Sequence, residues 1–314
     1  MGILITGAAG FIGSHTAKAL LKDKNYDIIG IDSFNDYYSP EFKKNNIKNL
    51  KIKLYRGDIR DIALLNKIFS ENKIDRIIHL ASMVGVRYSI ENPDIYQDVN
   101  IRGTLNLLEM ARKHKCKKFI FGSSSSVYGN SRKAPFSEED IVDSPISPYA
   151  ATKKSAELLC HAYSYLYGIP IVCLRFFTVY GPNGRPDMVP YKFTEAIYSG
   201  REIEVYGDGK TRRDYTYVAD IVDGIIKSLD LDAGYEIINL GGSSPVELNK
   251  FIGIIEKSLG KKAKINYKPM QPGDVMQTYA DISKAKRLLE YSPKVDIEEG
   301  MKLFCEWFIR ERRS

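Results

Sequence analysis

Gly2-Ile3-Leu4-Ile5-Thr6-Gly7-Ala8-Ala9-Gly10-Phe11-Ile12-Gly13 opens the chain with an apolar run that ends in glycines at every third position. The run Gly2 to Thr6 predicts a buried strand, and the spacing from Ser14 to Leu21 predicts a helix. A strand, a glycine turn and a helix in that order suit a dinucleotide pyrophosphate. Gly7, Gly10 and Gly13 keep side chains out of the way of the phosphates, and the free N–H groups of the helix start point at their charge. Phe11 and Ile12 lie inside the same turn. Taken alone, such a turn can also be a tight connection and nothing more.

A second apolar run, Tyr26 to Ile31, ends in Asp32, about 20 residues past the glycines, where a carboxylate accepts the hydroxyls of an adenosine ribose. It would repel a phosphate on that ribose. No arginine stands between Ser33 and Tyr38 to compensate, so NAD is expected rather than NADP. The plainer alternative for Asp32 is a residue that ends a strand.

Composition narrows the class without naming a reaction. The chain has 314 residues, 44% hydrophobic and 27% charged, which is ordinary for a globular protein with a large core. Its net charge of +7 suits anionic ligands but does not by itself indicate nucleic acid. Cys116, Cys160, Cys173 and Cys305 lack C-x-x-C spacing, and His15, His79, His114 and His161 are dispersed, so neither a disulfide framework nor a metal site is expected. No apolar run approaches the ~20 residues of a membrane span. The expectation is a cytoplasmic protein.

Strand-like runs at 51–55, 76–80 and 118–122 alternate with helical patterns at 62–71 and 99–113, which predicts a parallel sheet covered on both faces. Two longer helices are expected over about 93–114 and 148–167, and a further strand over 171–176. Beyond Phe177, turns at 181–184, 207–209 and 269–273 separate shorter elements, as in a smaller cap. A helix near 215–231 and a strand near 236–240 would return to the main sheet.

Tyr149 and Lys153 are four residues apart and share a helix face. An ammonium beside a phenol favours the phenolate, lowering its pKa from ~10 toward that of a general base. Y-x-x-x-K alone is common on surface helices. Here it follows Phe121-Gly122-Ser123-Ser124-Ser125-Ser126-Val127-Tyr128-Gly129, whose serines fall at the carboxyl end of a strand and so over the crevice of a parallel sheet.

GAAGFIG, Asp32, Gly57-Asp58-Ile59, His79-Leu80-Ala81, Asn100, SSSSVYG and Tyr149-x-x-x-Lys153 together resemble the extended short-chain dehydrogenase/reductases that act on nucleotide sugars, over essentially the whole chain. The resemblance implies a Rossmann-type doubly wound parallel α/β sheet with a smaller, discontinuous α/β substrate-binding cap. Residues 1–178, with 214–241 returning, would bind NAD; 179–213 and 242–314 would bind a UDP-sugar. It further implies that Asp58 and Ile59 line the adenine, that Leu80 and Ala81 pass along the cofactor, that Asn100 supports the site, and that Ser124, Tyr149 and Lys153 are catalytic. A homodimer is implied as well, with no nucleic-acid or membrane partner.

Relatives that expel water or carbon dioxide carry acidic residues directly after the active-site hydroxyl, where this chain has Ser125 and Ser126. Epimerisation is therefore the expected reaction. The stretch Arg175-Phe176-Phe177-Thr178-Val179-Tyr180-Gly181-Pro182-Asn183-Gly184-Arg185-Pro186-Asp187-Met188 resembles UDP-glucuronate 4-epimerases, as do Ser33 to Tyr38 and Gly85 to Tyr88. A sugar carboxylate calls for a fixed cation, and guanidinium offers a bidentate fork, so Arg185 and Thr178 are assigned to it. Arg185 could instead hold a turn or a phosphate. Arg87 is expected near the sugar or diphosphate, Arg213 at the diphosphate, and Lys192, Tyr206 and Asp274 in the nucleotide pocket; at 192 the subfamily often has arginine. The neutral-sugar alternatives are UDP-glucose and UDP-N-acetylglucosamine 4-epimerases. A non-catalytic NAD-bound scaffold or an RNA-binding relative is the reading from another class.

Overall fold

The structure, a computed structural model, describes residues 1–22, 25–270 and 275–313. Its first strand, β1 (Gly2–Thr6), is buried on both faces. Alternate side chains go to opposite sides, so Ile3 and Ile5 join one core layer and Leu4 the other. After α1 (Phe11–Leu20) come β2 (Asp27–Asp32), α2 (Pro40–Ile47), β3 (Lys53–Arg56), α3 (Ile62–Glu71) and β4 (Arg76–His79). Two short helices, α4 (Val86–Glu91) and α5 (Pro93–Tyr96), lead through a π turn at Gln97–Arg102 into α6 (Gly103–Lys113). Then follow β5 (Lys118–Ser124), α7 (Pro148–Tyr167) and β6 (Ile171–Phe176).

The cap begins with β7 (Thr178–Tyr180), α8 (Val189–Tyr198), β8 (Glu202–Tyr206) and β9 (Arg212–Tyr217). The chain returns through α9 (Val218–Leu229) to β10 (Tyr235–Leu240) and ends with β11 (Pro245–Glu247), α10 (Leu248–Leu259), β12 (Lys264–Lys268), α11 (Ser283–Leu289) and α12 (Ile297–Arg313).

Seven parallel strands form the main sheet in the order β3-β2-β1-β4-β5-β6-β10. The order reverses between β1 and β4, which opens a crevice at the carboxyl ends of the strands. One layer packs β1, β5 and β6 side chains against Ala17 and Leu20 of α1 and Ile221, Ile225 and Leu229 of α9. The other packs them against Leu65 and Ile68 of α3, Leu107 and Leu108 of α6, and Ala156 and Cys160 of α7. The cap has its own aromatic core, with Tyr215 stacked on Phe251 at 4.4 Å, around a three-stranded β11-β9-β7 sheet and a two-stranded β12-β8 pair.

Three expectations change in detail. The first helix starts at Phe11, because Gly10 already has the extended backbone of a cap. The helix expected over 93–114 is divided by the π turn. Residues 212–217 are β9 of the small sheet, so the return to the main sheet begins at α9. The 269–273 turn lies largely outside the described residues. Among the described residues no helix is long and apolar enough to cross a membrane, and no cluster of His, Cys, Asp or Glu could hold a metal.

Candidate active site

A cleft of about 390 Å³ runs along the crevice, from Gly7, Gly10 and Gly13 past Asp32, Asp58 and Ile59 to Ser124, Tyr149 and Lys153, and on to Thr178 and Arg185. Phe11, Ile12, Leu80, Ala81, Ser125 and Ser126 also line it, so the residues expected to hold a cofactor and those expected to be catalytic meet in one space, with Asn100 behind its wall, bonded to Ser82 and Met83.

The glycine turn is tight for a steric reason. Gly7 has φ +67, and a Cβ on Gly13 would sit 2.1 Å from the Gly7 carbonyl oxygen, so α1 can approach the turn only if residue 13 has no side chain. No side chain caps α1 and its first turn carries no acid, leaving the leading N–H groups for a ligand's negative charge. Asp32 is buried and held from behind. Its Oδ2 accepts the Ala9 N–H at 3.0 Å and its Oδ1 the Phe34 N–H at 2.9 Å. These features fit a dinucleotide: uncapped amides for the pyrophosphate and a fixed carboxylate for the ribose. Asp58 lines the cleft as well, with its carboxylate gripped by Arg60, whose Nε and Nη2 donate at 3.0 and 2.8 Å. Burial works against ionising Asp58, but the Arg60 contacts hold its carboxyl below the usual range.

Asn100 is a hub. The π turn adds a residue to the helical repeat and presents the side chain of Asn100 to the loop after β4. Its Oδ1 accepts from Met83 N at 2.8 Å and Ser82 Oγ at 2.9 Å, and its Nδ2 donates to Met83 O and Thr152 Oγ1, each at 3.0 Å. Behind it, the Thr104 hydroxyl donates to the Asn100 carbonyl, so His79 Nε2–H donates to Thr104 and Nδ1 accepts from Thr6 at 2.7 Å. Burial pushes His79 down to about 3, which keeps it neutral.

The helix bearing Tyr149 and Lys153 has clear ends. Ser147 caps α7 by accepting the Ala150 N–H, Pro148 fits its first turn, and Gly168 ends it in the left-handed conformation. Lys153 is buried, with Nζ donating to the Gly122 carbonyl at 2.7 Å and lying 5.0 Å from the centre of the Phe121 ring. Burial pushes it down to about 7, with Glu157 opposing.

The expectation that Lys153 acidifies Tyr149 needs correcting in this state. Burial raises the phenol, and what counters it is a hydrogen bond with Ser124 and the charge of Arg185. The Lys153 ammonium is directed at the Gly122 carbonyl instead.

Arg185 is brought to the cleft as expected, but its fork is partly taken. Nε and Nη2 donate to Oδ1 and Oδ2 of Asp187 at 2.9 and 2.5 Å. Its side chain is only 17% exposed. Arg87 lies 4.8 Å over the Tyr206 ring, and Arg213 donates to the Arg212 carbonyl. Neither they nor Lys192, exposed on α8, are among the residues lining the cleft. Asp274 lies outside the described residues.

Sequence reasoning missed Lys43 and Tyr37. Lys43 is the one buried residue of α2, with Nζ donating to Asn35 O at 2.8 Å and Oδ1 at 2.6 Å beside the Asp32 end of the cleft. Tyr37 lines the cleft with its hydroxyl on Asp187. A lone lysine on a polar helix gives no spacing signal. For Tyr37, only its place in the 33–38 motif drew attention.

A family model described as GDP-mannose 4,6 dehydratase matches residues 4–304. A UDP-glucuronate 4-epimerase of Thermodesulfobacterium geofontis is 47% identical over 309 residues, 97% of this chain and 95% of the relative. The solved UDP-glucuronic acid 4-epimerase from Bacillus cereus, in complex with UDP-glucuronic acid and NAD, superimposes with TM-score 0.92 at 40% identity, covering 99% of this chain and 100% of the other. A UDP-glucose 4-epimerase from Thermotoga maritima, bound to UDP-glucose, does so with TM-score 0.93 at 34% identity and the same coverage. With matches of this length joined to a cleft built from an uncapped glycine turn, Asp32, Ser124, Tyr149 and Lys153, the chain belongs to the NAD-dependent nucleotide-sugar epimerase and dehydratase family, within the extended short-chain dehydrogenase/reductases.

Proposed function

We propose that this protein interconverts UDP-glucuronate and UDP-galacturonate by 4-epimerisation. The observation that carries the reading is Arg185, a mostly buried guanidinium that lines the same cleft as Ser124 and Tyr149, with Thr178 in the wall beside them. A sugar C6 carboxylate is the substrate group that such a cation suits. The family model carries the name of a dehydratase. Ser125 and Ser126 argue against dehydration here, because neither offers the carboxylic acid needed to expel a hydroxyl.

In this reading Ser124 orients the 4-oxygen of the sugar and Tyr149 takes its proton. The hydrogen bond with Ser124 and the positive charge of Arg185 act on Tyr149 to ease that loss. Lys153 adds charge below the strand end. The uncapped start of α1, Asp32 and the Asp58 end would hold NAD, which when bound supplies a hydride acceptor and donor at C4. The 4-keto sugar then turns about its bond to the diphosphate, presents its other face, and recovers the proton from Tyr149. Arg213, with Lys192, Tyr206 and Asp274, are the residues we assign to the nucleotide and diphosphate, and Arg87 to the sugar or diphosphate.

Incubation with UDP-glucuronate, UDP-glucose and UDP-N-acetylglucosamine without added coenzyme tests the assignment. UDP-galacturonate is the expected product, and Arg185→Ala should lower uronate turnover far more than any turnover of neutral sugars, which loses only the help that Arg185 gives Tyr149. A UDP-pentose as main product would overturn it. A neutral-sugar 4-epimerase is the second reading, favoured by one observation: Asp187 already neutralises Arg185. We also propose a homodimer, supported by apolar side chains exposed along α7, and a reducing compartment such as the cytoplasm, consistent with four buried free cysteines.

A further inference from the structure

We propose that Asp187 is a positioning residue for Arg185: it fixes which edge of the guanidinium meets the sugar, and thereby decides what becomes of an acidic substrate. The inference rests on the reading of the substrate as a uronate.

The geometry is a closed clamp. Asp187 takes the Nε–Nη2 edge of Arg185 with both carboxylate oxygens, two residues away along a turn whose Met188 N–H returns to the Arg185 carbonyl at 3.3 Å. Tyr37 closes it from the other side, donating its hydroxyl to Asp187 Oδ2 at 3.3 Å while the guanidinium lies 5.7 Å from its ring centre. Tyr37 is itself confined. A Cβ on Gly85, at φ +96, would come 2.6 Å from its hydroxyl, and Tyr88 packs edge-on at 5.1 Å. Arg185, Tyr37 and Met188 line the cleft and Asp187 does not, so the carboxylate acts through the arginine. Asp187 stays ionised: burial opposes its charge, but the Arg185 contacts hold its carboxyl below the usual range. Burial raises Tyr37 to about 12, so it stays a neutral donor.

Arginine presents five N–H donors in one plane. With the Nε–Nη2 edge occupied, what remains is the end of the fork, Nη1 and the second hydrogen of Nη2. A substrate carboxylate is therefore met end-on, in one plane. That plane matters chemically. Loss of carbon dioxide from a 4-keto uronate breaks the C5–C6 bond, sends its electron pair onto the C4 oxygen as an enolate, and lets C5 take a proton from water. The bond breaks readily only when it lies parallel to the carbonyl π orbitals. A carboxylate held end-on by a fixed guanidinium keeps it out of that alignment, and a guanidinium free to turn does not.

The test is Asp187→Asn, which keeps size and one acceptor but removes the charge, compared with wild type on UDP-glucuronate and UDP-glucose. We expect the share of decarboxylated UDP-pentose among uronate products to rise at least about tenfold and kcat for the 4-epimer to fall about tenfold, with KM for UDP-glucuronate unchanged or lower. Any turnover of UDP-glucose should change far less than uronate turnover and its product ratio, whereas a general loss of structure would lower both alike. An Asp187→Asn protein with wild-type product ratio and kcat overturns the proposal. If that variant fails to fold, Tyr37→Phe, which removes only the bond to Asp187, must raise the pentose share about threefold, and an unchanged ratio there overturns it equally. Wild-type protein inert toward UDP-glucuronate would instead sink the substrate reading on which the inference stands.

Discussion

Tyr149 is where local chemistry and tertiary context part company. Its partner four residues on, and the serine-rich strand end before it, were legible because each is a short-range pattern. The charge that reaches the phenol was not, because it comes from Arg185, 36 positions along the chain, while the Lys153 ammonium is directed at the Gly122 carbonyl. The same limit hid Lys43 as a wall of the cleft, because contact across a fold leaves no spacing in the sequence; Asp187 stands only two residues from Arg185, but nothing in a turn sequence says that its side chain folds back onto the guanidinium. A prediction follows for Ser124. Its hydrogen bond favours the phenolate, so Ser124→Ala should raise the Tyr149 pKa and move the limb on which activity rises with pH to higher pH. At neutral pH, kcat should fall by about two orders of magnitude, and Tyr149→Phe should lower it by about three or more at every pH. Profiles of kcat against pH for the two variants check this, and a Ser124→Ala profile with wild-type midpoints would show that the serine only positions the sugar.

Elements with chemical punctuation at both ends were readable to the residue. Helix α7 runs from Pro148 to Tyr167 because Ser147 caps one end and Gly168 ends the other. The helical run after Pro93 was readable only as one span, because a π turn costs no sequence signal: what produces it is the tertiary grip of Asn100 on Met83 and Thr152. The strand β4 is tied into this network by His79, buried between Thr6 of β1 and Thr104 of α6. In the unfolded chain a histidine titrates near 6.5, whereas burial holds His79 down to about 3. Between those values the unfolded state binds the additional proton, so folding stability falls as pH drops below about 6.5, at about 1.4 kcal/mol per pH unit. His79→Asn should be less stable than wild type at pH 7 but lose this slope. Urea unfolding at pH 7, 5.5 and 4.5 measures it, and an equally steep acid limb in the variant would place the lability elsewhere.

At the scale of the whole molecule, the doubly wound sheet was legible because each buried strand is a short apolar run followed by a helical one. The cap was legible only as irregularity, since β7, β9 and β11 are brought together from three separate stretches by pairing across the chain. What the isolated fold does not explain is the outer face of α7. Leu158, Tyr165 and Leu166 are 59%, 83% and 63% exposed. Their spacing of seven and eight residues puts them on one stripe, two turns apart. Ile90 of α4, a helix that packs beside α7, is 51% exposed. Apolar residues scattered singly need no explanation, but a stripe shared by neighbouring helices marks a surface that gains by being covered. A second copy of the same face is the simplest cover, since an isologous contact pairs the stripe with itself. The protein should therefore run in light scattering at about twice its 35.6 kDa chain mass, and Leu158→Glu combined with Leu166→Glu, which would place like charges against their own copies, should return it to the mass of one chain. Because the opposite face of α7 carries Lys153 and packs on the sheet, the double variant should keep its fold and its cleft. A wild-type protein with the mass of a single chain at micromolar concentration would leave the stripe without this role.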